Sequence, residues 1–466
     1  MFCVLQQKFR MANQNKNYLH HIFMLVALTT TVILAGNTRI VNARGLPLIR
    51  DTEIELLLNE YAQPIFKAAG LGGSRIAIKI VNSRVFNAFV VDGRNVFINT
   101  GTLMQSDTPN QIVGVIAHEA GHIAGGDLAA LRARIKRDRT KLILLRILGV
   151  GAAIASGDGR AVTAGDSLVM HSLLAERRVQ EASADQRALI YLSQTKQSGL
   201  GMLETFQRFQ RQEYISDRQK DPFVRSHPVA TERLALLRNR IRQSPYYDKR
   251  DSPSMQLRHD MMRAKLYGYL EQPSIVFNRY PKQNNTVPAK YARAIATFFQ
   301  GGDKGLLNAL SAVDELIKSK PKYPYFYELK ADFLQRSGQP SKAARYLRKA
   351  IRLDPNSTLL KVRLGSVLLE SAGKAAADEV IVLVSNAIQT DAKYENEQPK
   401  SYRVLGKAYY IKGNFPRSYA ATAEAYFLEG NFKQARIFAQ RAKPGIKKGS
   451  PIWWRMDEIE QFTSRS

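Results

Sequence analysis

Ile112-Val113-Gly114-Val115-Ile116-Ala117-His118-Glu119-Ala120-Gly121-His122-Ile123-Ala124-Gly125-Gly126 is the stretch on which the reading of this chain turns. Ile112, Val115 and Ile116 recur at helical spacing, Thr108-Pro109 marks a start and Gly125-Gly126 a stop, so a helix with one buried face is expected. On such a helix His118 and His122 lie one turn apart on one face and can offer two imidazole nitrogens to one ion about 2.0–2.1 Å away. Glu119 then stands beside the ion without binding it, placed to take a proton from water and pass it to a leaving amine. The plain alternative is a pair of surface histidines. The apolar face, the glycine stop and an acidic pair downstream all speak against it.

That acidic pair lies in Glu181-Ala182-Ser183-Ala184-Asp185. The carboxylates are four residues apart on one helical face, and the small residues between them allow close approach to the histidine helix. Glu181 is expected to be the third metal ligand. Asp185 is expected to accept a hydrogen bond from the outer nitrogen of a ligand histidine, which fixes its tautomer. A solvated charged face is the competing reading, since Glu176, Arg177, Arg178 and Arg187 are nearby. Three protein ligands leave a water position, the count of a catalytic zinc site rather than a closed structural one.

Working outward, Thr52 to Ala69 has Ile54, Leu57, Tyr61, Ile65 and Phe66 at helical spacing, with Asp51 as N-cap and Gly70 as stop. Arg75 to Val81 and Ala88 to Val91 read as strands, and Asp92-Gly93 as a hairpin turn into Asn95 to Asn99. The apolar run Leu142 to Ala155 holds Arg146 and is short for a membrane span, so a buried or substrate-shielding helix is expected there. After the Gly157-Asp158-Gly159 loop, Asp166 is the expected N-cap of a helix from Ser167 to Leu192. Past Pro253 the chain becomes successive amphipathic helices punctuated by Gly-Asn, Gly-Gln and Asp-Pro turns. Tyr327, Ala331, Leu334, Gly338, Ala343, Leu347, Ala350 and Pro355 match the 34-residue tetratricopeptide pattern. Tyr402, Leu405, Gly406, Tyr409 and Gly413 repeat it, and Tyr426, Gly430, Ala435, Ala439 and Ala442 repeat it less completely. An unrelated helical bundle is the alternative, and the last helix, from Pro451 with Trp453 and Trp454, is expected to cap the stack.

Composition bounds the rest. At 45% hydrophobic and 23% charged, the 466 residues suit two or three folded cores. The lone cysteine, Cys3, excludes disulfides and thiolate metal sites. Residues 1–43 read as a signal peptide: Lys8, Arg10 and Lys16, then an apolar Ile22 to Gly36, then Val41-Asn42-Ala43 for cleavage, with an uncleaved anchor as the alternative and Met11 as a second candidate start. An extracytoplasmic space, most simply a bacterial periplasm, is the expected location. The formal charge of +29 stays strongly positive without that leader, which carries four basic residues and no acidic one. In an exported protein this points away from nucleic acid and toward acidic clients or peripheral contact with an anionic membrane surface, with an ordinary solvated basic surface as the equal alternative.

With both motifs in view, the chain resembles the HtpX-like and CAAX-prenyl-protease-like zinc metallopeptidases, the gluzincins of family forty-eight. It is similar to their periplasmic branch with a C-terminal tetratricopeptide domain. The residues carrying this are His118-Glu119-Ala120-Gly121-His122, Gly125-Gly126-Asp127, Glu181-Ala182-Ser183-Ala184-Asp185, Ser226-His227-Pro228 and Arg233. The resemblance implies an α+β, mainly helical chain. A metalloprotease domain with a small sheet (44–250) would be followed by a connecting helix and linker (251–290) and an all-α repeat superhelix (291–466). It implies one Zn2+ per chain and degradation of misfolded or misassembled outer-membrane proteins, with assistance to their assembly and the repeats meeting the assembly complex. It also places Asn87-Ala88-Phe89 on a sheet edge facing the cleft, where an unfolded client binds through its backbone; an ordinary core hairpin is the other reading.

His227, beside a proline in an expected loop, has three readings: a transition-state hydrogen-bond donor, a reversible fourth ligand that holds the enzyme inactive, or a structural histidine. Arg233 is expected to fix that loop through a carboxylate, with Asp127 as the candidate. Three functions compete: an active zinc endopeptidase with Glu119 as base, a repeat scaffold or chaperone with a structural zinc site, and an enzyme silent until a partner opens it.

Overall fold

The computed structural model describes residues 46–73, 76–91, 93–130, 132–134, 161–210, 223–224, 227–228, 231–393 and 398–462. The expected signal peptide (1–43), the apolar run 142–155, the loop at 157–159, Asp92 and Ser226 lie outside them. Among the described residues no helix is long and apolar enough to cross a membrane.

The chain enters through β1 (Leu48–Ile49) and α1 (Thr52–Ala68). The Asp51 side chain caps α1 by accepting from Ile54 N at 3.0 Å. Strands β2 (Ala77–Val81), β3 (Ala88–Val90) and β4 (Asn95–Asn99) complete a four-stranded sheet in the order β1-β2-β4-β3. β2 pairs with β4 in parallel, while β3 and β4 form an antiparallel hairpin with Ala88 opposite Ile98 and Val90 opposite Val96. Gly93, at φ +74°, supplies the left-handed residue of that turn. β3 is thus an edge strand.

After α2 (Thr100–Gln105) comes α3 (Pro109–Gly125), the histidine helix. Thr108 caps it by accepting from Gln111 N, and the Gln111 side-chain oxygen accepts from the N–H of Asp107, the residue before the cap, at 2.7 Å. Gly126 ends it in the left-handed conformation at φ +66°. The apolar face reads as expected: Ile112, Val115 and Ile116 are fully buried in a core shared with Leu57, Tyr61 and Ile65 of α1 and Ile80, Val96 and Ile98 of the sheet.

The acidic helix α4 (Ala161–Gln194) starts earlier than the expected Ser167. Asp166 is inside it, not at its N-cap. An Asp-Ser pair caps a helix only where the preceding backbone has left helical geometry, and here it runs on through Gly165. α5 (Leu200–Gln207) and α6 (Thr231–Arg242) close the same core through Met202, Phe206, Leu234 and Leu237.

The remaining helices are α7 (Pro253–Leu270), α8 (Pro273–Arg279), α9 (Val287–Gln300), α10 (Gly302–Ser319), α11 (Pro324–Arg336) and α12 (Pro340–Leu353). They continue as α13 (Thr358–Ala372), α14 (Ala377–Lys393), α15 (Pro399–Ile411), α16 (Phe415–Leu428), α17 (Phe432–Ala442) and α18 (Pro451–Gln461). From α9 onward each helix packs on the next. Tyr327, Ala331, Leu334, Ala343, Leu347 and Ala350, the motif positions, are all buried in one cluster. The last helix covers the end of the row through Met456 and Ile459, while Trp454 faces solvent. α7 belongs to two cores at once, with Met262 and Leu266 in the first and Met261 and Ala264 in the cluster of α9 to α11.

The two regions are joined by buried charge. Lys265 of α7 lies 2.7 Å from Asp51, 3.2 Å from Glu53 and 3.6 Å from Glu328 of α11. Glu53 also accepts from the hydroxyls of Tyr291 at 3.0 Å and Tyr323. An ammonium taken out of water this completely holds its charge only because three carboxylates surround it. Lys265→Ala strands those carboxylates and should lower the unfolding free energy of the full chain by about 3–5 kcal/mol. Urea titration reads this directly, and a change within experimental scatter would show that the cluster does not bind the regions together.

Candidate metal centre

Four side chains from three segments meet at one point. His118 and His122 come from α3, Glu181 from α4 and His227 from the stretch before α6, and their nearest ligand-type atoms all lie within 4.8 Å of one another. α3 and α4 approach so closely because their contact faces are small. A Cβ on Gly121 would stand 2.6 Å from the Ala184 carbonyl oxygen, so only glycine fits there. Gly121 lies within the histidine motif and Ala184 within the acidic one, which puts Glu181 across from the two rings.

Each ligand-helix histidine is oriented from behind. His118 Nδ1 lies 2.9 Å from Asp185 Oδ1, and His122 Nδ1 lies 2.8 Å from Asp127 Oδ2. A carboxylate there takes an N–H, so both Nε2 atoms turn inward. The inward atoms are evenly spaced. His118 Nε2 is 3.1 Å from His122 Nε2, 3.2 Å from His227 Nδ1 and 3.4 Å from Glu181 Oε2. Glu181 Oε1 is 3.2 Å from His227 Nδ1 and 3.4 Å from His122 Nε2. Tetrahedral zinc with bonds of 2.0–2.1 Å puts its ligand atoms about 3.3–3.4 Å apart, so this donor set fits that ion in type and spacing. Sulfur is not needed, and all four groups are ordinary zinc ligands.

Arg233 supports the arrangement from α6. It donates to Asp185 through Nε and, at 2.7 Å, through Nη2, lies 3.0 Å from Glu181, and donates to the Pro228 carbonyl at 2.8 Å. The expected Arg233–Asp127 pairing is therefore not what the structure has. Asp127 lies one turn past His122 and serves that ring, whereas Asp185 faces Arg233 across the helix contact. Two residues not singled out from the sequence complete the surroundings. Phe206 meets His118 edge-on at 5.4 Å and lies 4.8 Å beneath the Arg233 guanidinium. Arg187 donates to the Gly121 carbonyl at 3.2 Å and stands 3.9 Å from Asp127. Nothing in local sequence pattern marks Phe206; Arg187 could have been found one turn beyond Ser183 on the face of Ala184.

Glu119 is fully buried, and its Oε1 has no hydrogen-bond partner among the described residues. Its nearest basic atom is His227 Nε2 at 3.4 Å. That same Nε2 lies 3.4 Å from the carbonyl of Ala88, the first residue of the edge strand. Asn87 is fixed to α2 by its backbone, with N–H to Thr102 Oγ1 at 2.8 Å, and Phe89 stacks on Phe97 at 5.2 Å. The edge strand, the Glu119 carboxylate and the four-atom cluster thus lie side by side.

Burial opposes charge on the two rings, but the carboxylates win: Asp127 and Glu181 push His122 up to about 10, and Asp185 and Glu181 raise His118. Burial likewise opposes ionisation of Glu181, and His227, His118 and His122 outweigh it, holding that carboxyl well below the usual range. In the metal-free protein a histidine raised above its unfolded value stabilises the fold fully below about pH 6.5, and this contribution is lost as pH rises toward 10. Metal binding runs the opposite way, because the ion must displace those protons. Zinc loading at pH 7 should therefore release roughly one proton or more per site, with affinity rising from pH 6 to 9. Calorimetry in buffers of different ionisation enthalpy measures the release, and a value of zero would mean that the rings are already neutral.

A profile for Peptidase family M48 matches residues 49–241, which contain every residue of this centre. The metalloprotease LoiP of Escherichia coli K12 is 29% identical over 194 residues, covering 39% of this chain and 71% of that protein. The beta-barrel assembly-enhancing protease of Yersinia pestis is 23% identical over 380 residues, 79% of this chain and 74% of that protein. Its namesake from Escherichia coli K12 is 24% identical over 203 residues, 42% of this chain and 41% of that protein. Residues 49–241 thus match peptidase family M48, and the chain is a zinc-dependent metalloendopeptidase that resembles the beta-barrel assembly-enhancing proteases.

Proposed function

We propose that the protein is a periplasmic endopeptidase that removes misfolded or misassembled outer-membrane proteins, with His118, His122 and Glu181 holding zinc and Glu119 as general base. The observation that carries this is the buried Glu119 Oε1, which has no hydrogen-bond partner among the described residues and lies beside four converging ligand atoms. A buried carboxylate oxygen left unmade is costly and has no structural purpose, but it is what a proton acceptor needs. When bound, zinc supplies a Lewis acid that brings the pKa of water near 7. Glu119 accepts the proton of the attacking water and delivers it to the nitrogen of the leaving amine. Asp185 and Asp127 hold the two rings in one tautomer throughout. The edge of β3 offers backbone donors and acceptors to an extended client, so recognition depends little on side chains.

The client class is suggested by the names of the similar proteases and by the extended mode of binding. The helical row is read as a tetratricopeptide superhelix, on the motif positions Tyr327 to Ala350 and the helix-on-helix packing, and its proposed partners are the assembly complex or the client. The basic charge suits peripheral contact with an anionic surface as well.

One observation favours a latent form of the same enzyme. His227 Nδ1 completes four protein ligands, the closed count, while its Nε2 sits at the Ala88 carbonyl that a client's N–H would need. His227 would then plug both the water position and the edge strand until its segment, tied to Arg233 through Pro228, moves away. Two variants test this on an unfolded outer-membrane protein as substrate. Glu119→Gln should keep its zinc and lose about 10²- to 10⁴-fold of the cleavage rate. His227→Ala should cleave faster than the unaltered protein; slower cleavage would make His227 a transition-state donor, and equal cleavage by Glu119→Gln would remove Glu119 as the base.

A further inference from the structure

Some cations of the helical region have a carboxylate partner. Arg363 pairs with Glu328 and Asp332, Arg403 with Glu429, Arg455 with Glu424 and Lys443 with Asp457. α12 is basic on its exposed side. Its apolar face, Ala343, Ala344, Leu347 and Ala350, is buried against its neighbours, and it carries five basic residues and no acidic one. Arg348 is paired with Glu379. The other four, Lys342, Arg345, Lys349 and Arg352, have no carboxylate partner among the described residues, and all four line one hollow of about 460 Å³ with Tyr327 and Tyr346.

The row i, i+3, i+7, i+10 spans about 15 Å of helix at 1.5 Å per residue. Cations gathered on one concavity repel each other, and they gain only when an anion enters. The two tyrosines interleave with them. Lys349 Nζ lies 5.9 Å from the Tyr327 ring, and Lys330 Nζ lies 4.7 Å over the Tyr346 ring. Tyr327 is held in place by its hydroxyl, which donates to the Pro321 carbonyl at 2.9 Å. The hollow is of small-ligand size and opens to solvent. Arginine forks and ammonium groups beside two tyrosine rings suit a sugar ring carrying more than one phosphate.

We propose that the hollow beside α12 binds a multiply phosphorylated sugar, free or as a lipid headgroup, at a site separate from the metal centre and independent of the peptidase reading. The test uses the zinc-loaded full chain. Fructose 1,6-bisphosphate is titrated by calorimetry at physiological salt, and flotation is measured with phosphatidylcholine vesicles with and without phosphatidylinositol bisphosphate. An oligoglutamate peptide serves as the acidic-protein arm. Arg345→Gln/Lys349→Gln should weaken phosphate binding about tenfold or more, with unchanged melting midpoint and proteolysis. The exposed pair Lys447→Gln/Lys448→Gln, which removes the same charge elsewhere, should not. Lys342→Gln/Arg352→Gln provides a second pair from the ends of the row if the first fails to fold. Binding to the sugar bisphosphate alone identifies a soluble ligand, and binding to doped vesicles as well identifies a headgroup. Equal weakening by the distant pair, no binding of either phosphate probe, or binding of oligoglutamate in their place would each overturn the assignment.

Discussion

The structure depends on one constraint: two imidazoles on a single helix must aim the same nitrogen inward. A histidine ring is free to flip or change tautomer unless its outer nitrogen is claimed, and here Asp185 claims that of His118 and Asp127 that of His122. Asp127 comes almost free, since the left-handed Gly126 turns the chain back at the end of the histidine helix. Asp185 does not. It sits on another helix, and it reaches His118 only because Gly121 lets the Ala184 backbone come into contact. The Thr108 cap, the buried apolar face and the sheet behind α3 all serve to hold that helix where this contact can form.

Charge explains the rest of the centre. Glu119, Glu181, Asp185 and Asp127 bring four carboxylates into a small volume, against which Arg233 is the one buried arginine and Arg187 a partly exposed second. With neutral histidines the cluster is short of positive charge by about two. Without an ion, protons on His118 and His122 make up the deficit, which is why both rings are raised. A divalent cation makes it up in their place. The same logic governs the junction, where Lys265 answers Asp51, Glu53 and Glu328. There the charge is built in and permanent, so the junction is fixed while the metal centre can load and unload.

Much of this was legible in the sequence because it is local. The α1 cap at Asp51, the β3–β4 hairpin around Gly93 and both ends of the histidine helix are set by residues within a few positions of each other. The His-to-His and Glu-to-Asp spacings name their helical faces for the same reason. What was not legible depends on packing between distant segments. Asp166 looks like a cap, but the helix runs past it. Arg233 meets Asp185 rather than Asp127 because α4 and α6 are brought together by the core. Phe206 walls His118 from a helix with no motif of its own. α7 reads as a connector, yet it is buried in two cores and carries Lys265 into the junction.

Anomalous diffraction at the zinc edge, from crystals of the zinc-loaded full chain, tests the central claim most directly. One strong peak is expected about 2.0–2.1 Å from Nε2 of both His118 and His122 and from a Glu181 oxygen, with Asp185 and Asp127 still on the two Nδ1 atoms. A peak bound through Nδ1 of either ring, or one lying away from Glu181, would contradict it.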